Sequence, residues 1–279
     1  MEVEDKLLEP VMTARPQRTF GKGELVAKLA AGRTRIDQLY QEGAAKIRLP
    51  ESFDDRMEAV LINTSGGLTG GDQLRWLVEA RSGTSVTVTT QACEKIYRSD
   101  SGPAMIDAEI EVGDNARLDW LPQETILFDE AALNRRLDVD LAETAEFVAV
   151  EAVLLGRKAM GEAVGIGHFR DRWRVRRGGQ LLHAEDVRMT GDIEHLVAQS
   201  AILGGEVAFA TLLYCGARTE ALLPKLREVL GDAGAGASAW NGKLVARIVA
   251  ADGYALRKLL IPALKVLRED QIMPKVWHL

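Results

Sequence analysis

Through the middle of this chain, apolar and polar residues alternate with a period of two. Val86 and Val88 are interleaved with Ser85, Thr87 and Thr89, and Ile106, Ala108, Ile110 and Val112 with Asp107, Glu109 and Glu111. Leu137, Val139 and Leu141 bracket Asp138 and Asp140, and Leu118 and Trp120 bracket Asp119. Successive side chains of a strand point to opposite faces, so each run describes a strand with one dry and one wet face. Turn-forming residues separate the runs: Ser82-Gly83, Ser101-Gly102-Pro103 and Gly113-Asp114-Asn115. Ile47 and Leu49 alternate in the same way before them, and Arg172–Met189 reads as a hairpin turned at Gly178-Gly179. Short strands at this regular spacing predict a mainly β fold, either a sandwich or a solenoid-like stack of sheets.

The last quarter changes period. Leu222, Leu223, Leu226, Val229 and Leu230 share one helical face and Gly231 stops the helix, which puts Pro224 in its first turn. Gly231 to Ala239 reads as a Gly/Ala loop before a strand over Leu244–Val249. A second helix follows Asp252 as N-cap, with Leu256, Leu259, Leu260, Ala263, Leu264 and Leu267 as its stripe, and Pro262 predicts a kink or early break. Both helices are expected to cover a sheet.

With 279 residues, 47% of them hydrophobic, the chain can bury a large core as one domain over residues 18–279. Residues 1–17, with Pro10 and Pro16 and no period, are expected to form a flexible lead-in. A net charge of -6 argues against a nucleic-acid partner. The acidic start Glu2-Val3-Glu4-Asp5 is unlike a signal peptide, and no apolar run reaches the roughly 20 residues that span a bilayer. Cys93 and Cys215 stand far apart, in keeping with a reducing compartment. These features predict a cytoplasmic protein with no membrane attachment.

The densest glycine stretch is Asn63-Thr64-Ser65-Gly66-Gly67-Leu68-Thr69-Gly70-Gly71-Asp72. A phosphate cradle would need Gly-Lys-Ser/Thr opening a helix, whereas here an aspartate and a strand follow. The stretch therefore reads as a sharp reversal between strands, with glycine supplying positive φ or room for a close contact. Nucleophilic catalysis lacks its signals: there is no Gly-x-Ser-x-Gly elbow, and Cys93 reads as a small buried residue. His168, His183, His195 and His278 form no metal-ligand spacing. Glu124, Glu151 and Glu185, by contrast, are embedded in apolar sequence. A buried carboxylate needs a partner, and Arg98, Arg157 and Arg188 are the expected ones. The alternative is a group of such acids lining a polar channel suited to a divalent cation.

Four segments resemble the UreD/UreH family of urease accessory proteins. They are Asn63–Asp72, Thr89-Thr90-Gln91-Ala92-Cys93-Glu94-Lys95-Ile96-Tyr97-Arg98-Ser99, Trp120-Leu121-Pro122-Gln123-Glu124-Thr125-Ile126 and Gly156-Arg157-Lys158-Ala159-Met160-Gly161-Glu162. The family's order and spacing are kept across about residues 18–270, and Cys93 departs from the small residue usual there. The resemblance implies a largely β protein with two helices that is not an enzyme and holds no tight cofactor. It implies a scaffold of urease maturation that binds the urease structural subunits and joins UreF, which recruits the GTPase UreG. It also implies Ni²⁺ in transit toward the urease active site through an internal tunnel. Asp72, on the Gly-Gly-Asp match, is then the first candidate for a carboxylate on the metal's path, with Glu151 second and Glu185 third. A purely structural adaptor, with nickel travelling outside it, is the other reading.

Overall fold

The computed structural model describes residues 18–51, 54–156, 161–232, 234–269 and 271–278. The expected lead-in 1–17 and the candidate partner Arg157 lie outside the described residues.

Two sheets carry the fold. The first has seven strands, in the order β14 (Gln180–Asp192), β13 (Ile166–Arg177), β11 (Ala132–Leu141), β8 (Ala104–Val112), β5 (Gln73–Ala80), β1 (Phe20–Ala30) and β2 (Arg33–Gly43). The second runs β16 (Ala235–Trp240), β17 (Lys243–Ala250), β15 (Ala208–Cys215), β12 (Glu146–Leu155), β9 (Arg117–Leu121), β6 (Ser85–Thr90), β4 (Met57–Asn63) and β3 (Ala45–Arg48). The short strands β7 (Glu94–Ile96) and β10 (Thr125–Leu127) extend it beside β12. From β4 to β13 the long strands alternate between the sheets. Neighbours within each sheet run parallel, so every coil of the chain adds one strand to each layer. The expected mainly β, solenoid-like stack is therefore present.

The glycine stretch joins β4 of one sheet to β5 of the other, so its turn is a crossing between layers. Gly70 sits where a Cβ would come within 2.4 Å of the Gly102 carbonyl, and Gly71 has φ +85°. The hairpin turn at Gly178-Gly179 has positive φ at both residues, as a two-residue turn matching strand twist requires.

Among the described residues three α-helices and a short 3-10 turn over Lys275–His278 complete the fold. α2 (Thr219–Leu230) and α3 (Gly253–Leu267) bury Leu222, Leu226, Leu256, Leu260 and Leu264 on the outer face of the second sheet. Asp252 caps α3 by accepting from the Ala255 N–H at 2.8 Å. The short helix α1 (Ile193–Ala198), after β14, has no counterpart in the sequence reading. Three local expectations are corrected. α2 begins at Thr219, so Pro224 lies in its second turn. α3 runs unbroken past Pro262 to Leu267, held by its buried stripe. Half of the expected Gly/Ala loop is β16, which pairs with β17 through the positive-φ turn Asn241-Gly242 while its alanines pack toward α2.

Candidate functional site: a buried charge layer

Between the sheets the core falls into two apolar clusters, and three of the strands that cross from one to the other, β11, β12 and β13, interrupt their dry face with a charged residue where the clusters meet. On β11 the inward series Leu133, Arg135, Leu137 passes from one cluster to the other through an arginine. On β13, Phe169, Asp171, Trp173 does so through an aspartate, and on β12, Ala149, Glu151, Val153 through a glutamate. Arg135 and Asp171 are register partners on adjacent parallel strands. Glu151 faces them from the opposite sheet.

Arg135 is the centre of this layer. Its Nε and Nη2 donate to Asp171 Oδ1 and Oδ2 at 3.1 and 2.7 Å, a two-pronged pair. Its Nη1 donates to Thr125 Oγ1 at 2.9 Å and lies 2.5 Å from Glu151 Oε2. That last contact pairs the guanidinium with the second acid. Trp120 Nε1 donates to the other oxygen, Oε1, at 3.1 Å. Arg135 and Glu151 are each only 6% exposed, and the Phe169 ring lies 5.7 Å from the guanidinium carbon.

Two acids face one base here. Burial pushes the Glu151 carboxyl up to about 7, against the pull of Arg135, and nearby Asp171 adds to the rise. Burial also opposes the charge on Arg135, but Asp171 and Glu151 outweigh it and hold the guanidinium above the ordinary arginine value. The layer thus holds its arginine charge firmly and its second carboxylate loosely.

The other candidate acids sit elsewhere. Asp72, 3% exposed, locks the glycine turn: Oδ1 accepts from the Thr19 N–H at 2.7 Å and Oδ2 from the Thr69 N–H at 2.8 Å. It therefore ties the start of β5 to the residue entering β1. Glu185, on the edge strand β14, forms an ion pair with Arg247 of β17. Glu151, Thr211 and Arg247 are lateral neighbours across β12, β15 and β17, so Glu185 stands at the outer end of the row that begins at Glu151. Asp72 shares no partner with either.

The expected arginine partners are corrected throughout. Arg257 of α3 grips Glu124 with Nε–Oε1 at 2.6 Å and Nη2–Oε2 at 2.8 Å. Arg135 serves Glu151 and Arg247 serves Glu185, while Arg98 and Arg188 pair with surface acids. Cys93 donates to Glu124 Oε2 at 3.4 Å, and burial pushes its thiol up to about 11, which keeps it protonated and a poor nucleophile. Among the described residues, no three His, Cys, Asp or Glu side chains converge as a metal site. Nor is any described helix long and apolar enough to cross a membrane.

Sequence reading missed Arg135 and Asp171. Their signal was parity: both occupy inward positions of strands whose other inward residues are apolar.

The structure is thus a coiled two-sheet β protein in which Glu124 and Glu151 are held by arginines and Asp72 by backbone N–H groups. The chain belongs to the UreD family. The family's sequence profile, described as UreD urease accessory protein, matches residues 20–278. The chain is 64% identical over 265 residues to the urease accessory protein UreD of Rhizobium johnstonii, covering 95% of this chain and 97% of that one. It is 58% identical to the UreD of Agrobacterium fabrum, over 95% and 93% of the two chains. It is 51% identical to that of Mesorhizobium japonicum, over 94% and 95%. Membership in this family assigns the chain a role in urease maturation as an accessory protein.

Proposed function

We propose that the chain is a non-catalytic scaffold for nickel insertion, holding the urease structural subunits and joining UreF, through which UreG is brought in, all in the cytoplasm. Ni²⁺ passes through the interior, with Glu151 as the central acid, Glu185 at the seam end of its row and Asp72 at the glycine turn. The observation carrying this reading is the Arg135–Glu151–Asp171 layer inside a member of a urease accessory family, because a chain with no chemistry to perform gains nothing in stability from burying two acids on one base. Carboxylate oxygens would hold a borderline cation weakly enough to let it go, whereas a His/Cys cage would retain it. A plain adaptor is favoured by a different fact: all three acids already have donors or a cation, so a passing ion must compete for them.

The test separates assembly from loading. Glu151→Gln keeps the shape and the Trp120 bond while removing the charge. Co-expressed with the urease operon, it is expected to leave the complex intact by pull-down and to reduce nickel per urease active site several-fold. Normal nickel content in that variant would leave the adaptor as the function.

A further inference from the structure

The two sheets are unequal on the side of the β13–β14 hairpin. β14 ends the first sheet and is tied to β17 by Lys243 and Arg247, but the second sheet runs one strand further, to β16. Among the described residues no strand covers the inner face of β16. Gly236, Ser238 and Trp240 are therefore exposed there, while Ala235, Ala237 and Ala239 on the other face pack toward α2. The outcome is a groove of about 590 Å³, with β16 as its floor and β14 as its wall. Among the described strands β14 pairs only with β13, so its other edge faces this groove.

The floor leaves room for a second backbone. Gly236 has no side chain, and a Cβ built there would meet no atom within 4 Å. The wall carries a polar group without a partner. His183 lines the groove and is 6% exposed, yet its buried Nε2 has no hydrogen-bond partner among the described residues. Buried ring nitrogens are normally paired, so this one marks where a further group belongs. Burial, with Lys243, Arg247 and Arg174 nearby, pushes the imidazole down to about 4. At neutral pH it is uncharged, keeps one N–H to donate and sits in a positive field. The charged residues lining the groove are Lys243, Arg247 and Glu185, two cations to one acid.

We infer that this groove takes an extended acidic segment of a partner protein, added to the first sheet along β14 and laid over β16. A peptide gains main-chain hydrogen bonds at a sheet edge, and its alternate side chains point toward the floor. A carboxylate on that side answers the His183 N–H and the surplus positive charge, whereas a cationic side chain is repelled. The exposed ring of Trp240, with Lys243 at 4.8 Å, offers a surface for the next side chain along. This docking goes beyond the passage of Ni²⁺ and does not depend on it.

The full-length chain titrated by calorimetry with the acetylated, amidated peptide Thr-Val-Glu-Val-Glu-Val tests the groove. The peptide is expected to bind at least tenfold more tightly than its counterpart with both glutamates replaced by lysine, and to slow amide exchange in β14 but not in β11. Gly236→Phe, which fills the floor from a position with open space around it, is expected to abolish binding, and His183→Phe to weaken it at least fivefold. No binding, equal binding of the two peptides, or unchanged binding by a Gly236→Phe variant that is folded by circular dichroism overturns the inference. Should His183→Phe not fold, Gly236→Phe and the exchange of β14 decide without it. A dimer of the chain alone that Gly236→Phe dissolves would give the groove to a second copy and also overturn it. None of these readouts involves nickel, so they stand whatever urease loading Glu151→Gln shows.

Discussion

At the scale of single residues, Glu94 and Glu151 respond to pH in the opposite direction to Glu124. Glu94 is pushed up to about 7, chiefly by burial, while a hydrogen bond from Asn63 Nδ2 at 3.0 Å pulls the other way. A carboxyl whose folded pKa exceeds its unfolded value binds more protons in the folded chain. Its contribution is then full below the unfolded value near 4.5 and is lost as pH rises through about 7. Glu151 has the same sign. Glu124 has the other: burial would raise it, but Arg257 brings it below the ordinary value, so its contribution is lost as pH falls. Urea unfolding of the parent chain should therefore show stability declining between about pH 5 and 8. Glu94→Gln should shrink that decline by on the order of 1–2 kcal/mol. An unchanged pH slope in this variant would show that Glu94 is ionised in the folded chain at neutral pH.

At the scale of elements, α3 is fixed to the second sheet by polar grips as well as by its leucine stripe. Arg257 holds Glu124 and Gln123 near the middle of the chain, and Arg268, just past the helix, donates to Asp119 at 2.8 Å. Arg257→Ala strands a carboxylate that is 1% exposed, which should cost about 3–5 kcal/mol. Adding Glu124→Gln should restore most of that loss, because the penalty lies in the uncompensated charge; urea midpoints of the single and double variants measure it. If the double variant is as unstable as the single one, lost packing of the arginine stem is the larger effect. These grips join residues over a hundred positions apart, and for that reason local reading could not pair them. Local pattern was enough for the alternation over 106–112 and 137–141, the hairpin over 172–189 and the Asp252 cap, where period and turn chemistry decide the outcome, though the observed strands run longer. It failed for β16, whose Ala-Gly-Ala-Ser-Ala carries no strand propensity and is a strand only because β17 and α2 flank it. It failed for Pro262 because burial of Leu256, Leu260, Leu264 and Leu267 outweighs the missing amide bond. Glu151 stood out as an acid among apolar neighbours. Its arginine did not, since Arg135 lies among other charged residues and shows its burial only through strand parity.

At the scale of the whole molecule, two separate sheets must be kept from parting at their open edges. On one side the edge strand β14 meets the second sheet through two cationic side chains: Lys243 donates to the Leu182 carbonyl, and Arg247 pairs with Glu185. Both cations come from β17, so one strand closes the seam. The Arg247 side chain is 55% exposed and that of Glu185 13%, so the pair is worth only about 0–1 kcal/mol of global stability. Its effect should be local, because edge strands open at free energies well below that of global unfolding. Arg247→Met combined with Lys243→Met is therefore expected to leave the urea midpoint nearly unchanged while speeding amide exchange in β14, with β11, β12 and β15 as protected as before. Exchange by mass spectrometry reads this directly. If β14 exchange did not change, the apolar contacts of Trp173 and Val175 beneath the hairpin would be sufficient to hold the edge. The seam also lies at the outer end of the Glu151–Thr211–Arg247 row, so the double variant joins this scale to the first. If a cation leaves the interior along that row, loosening the seam should alter urease nickel loading, whereas a scaffold that never carries the ion would be indifferent to it.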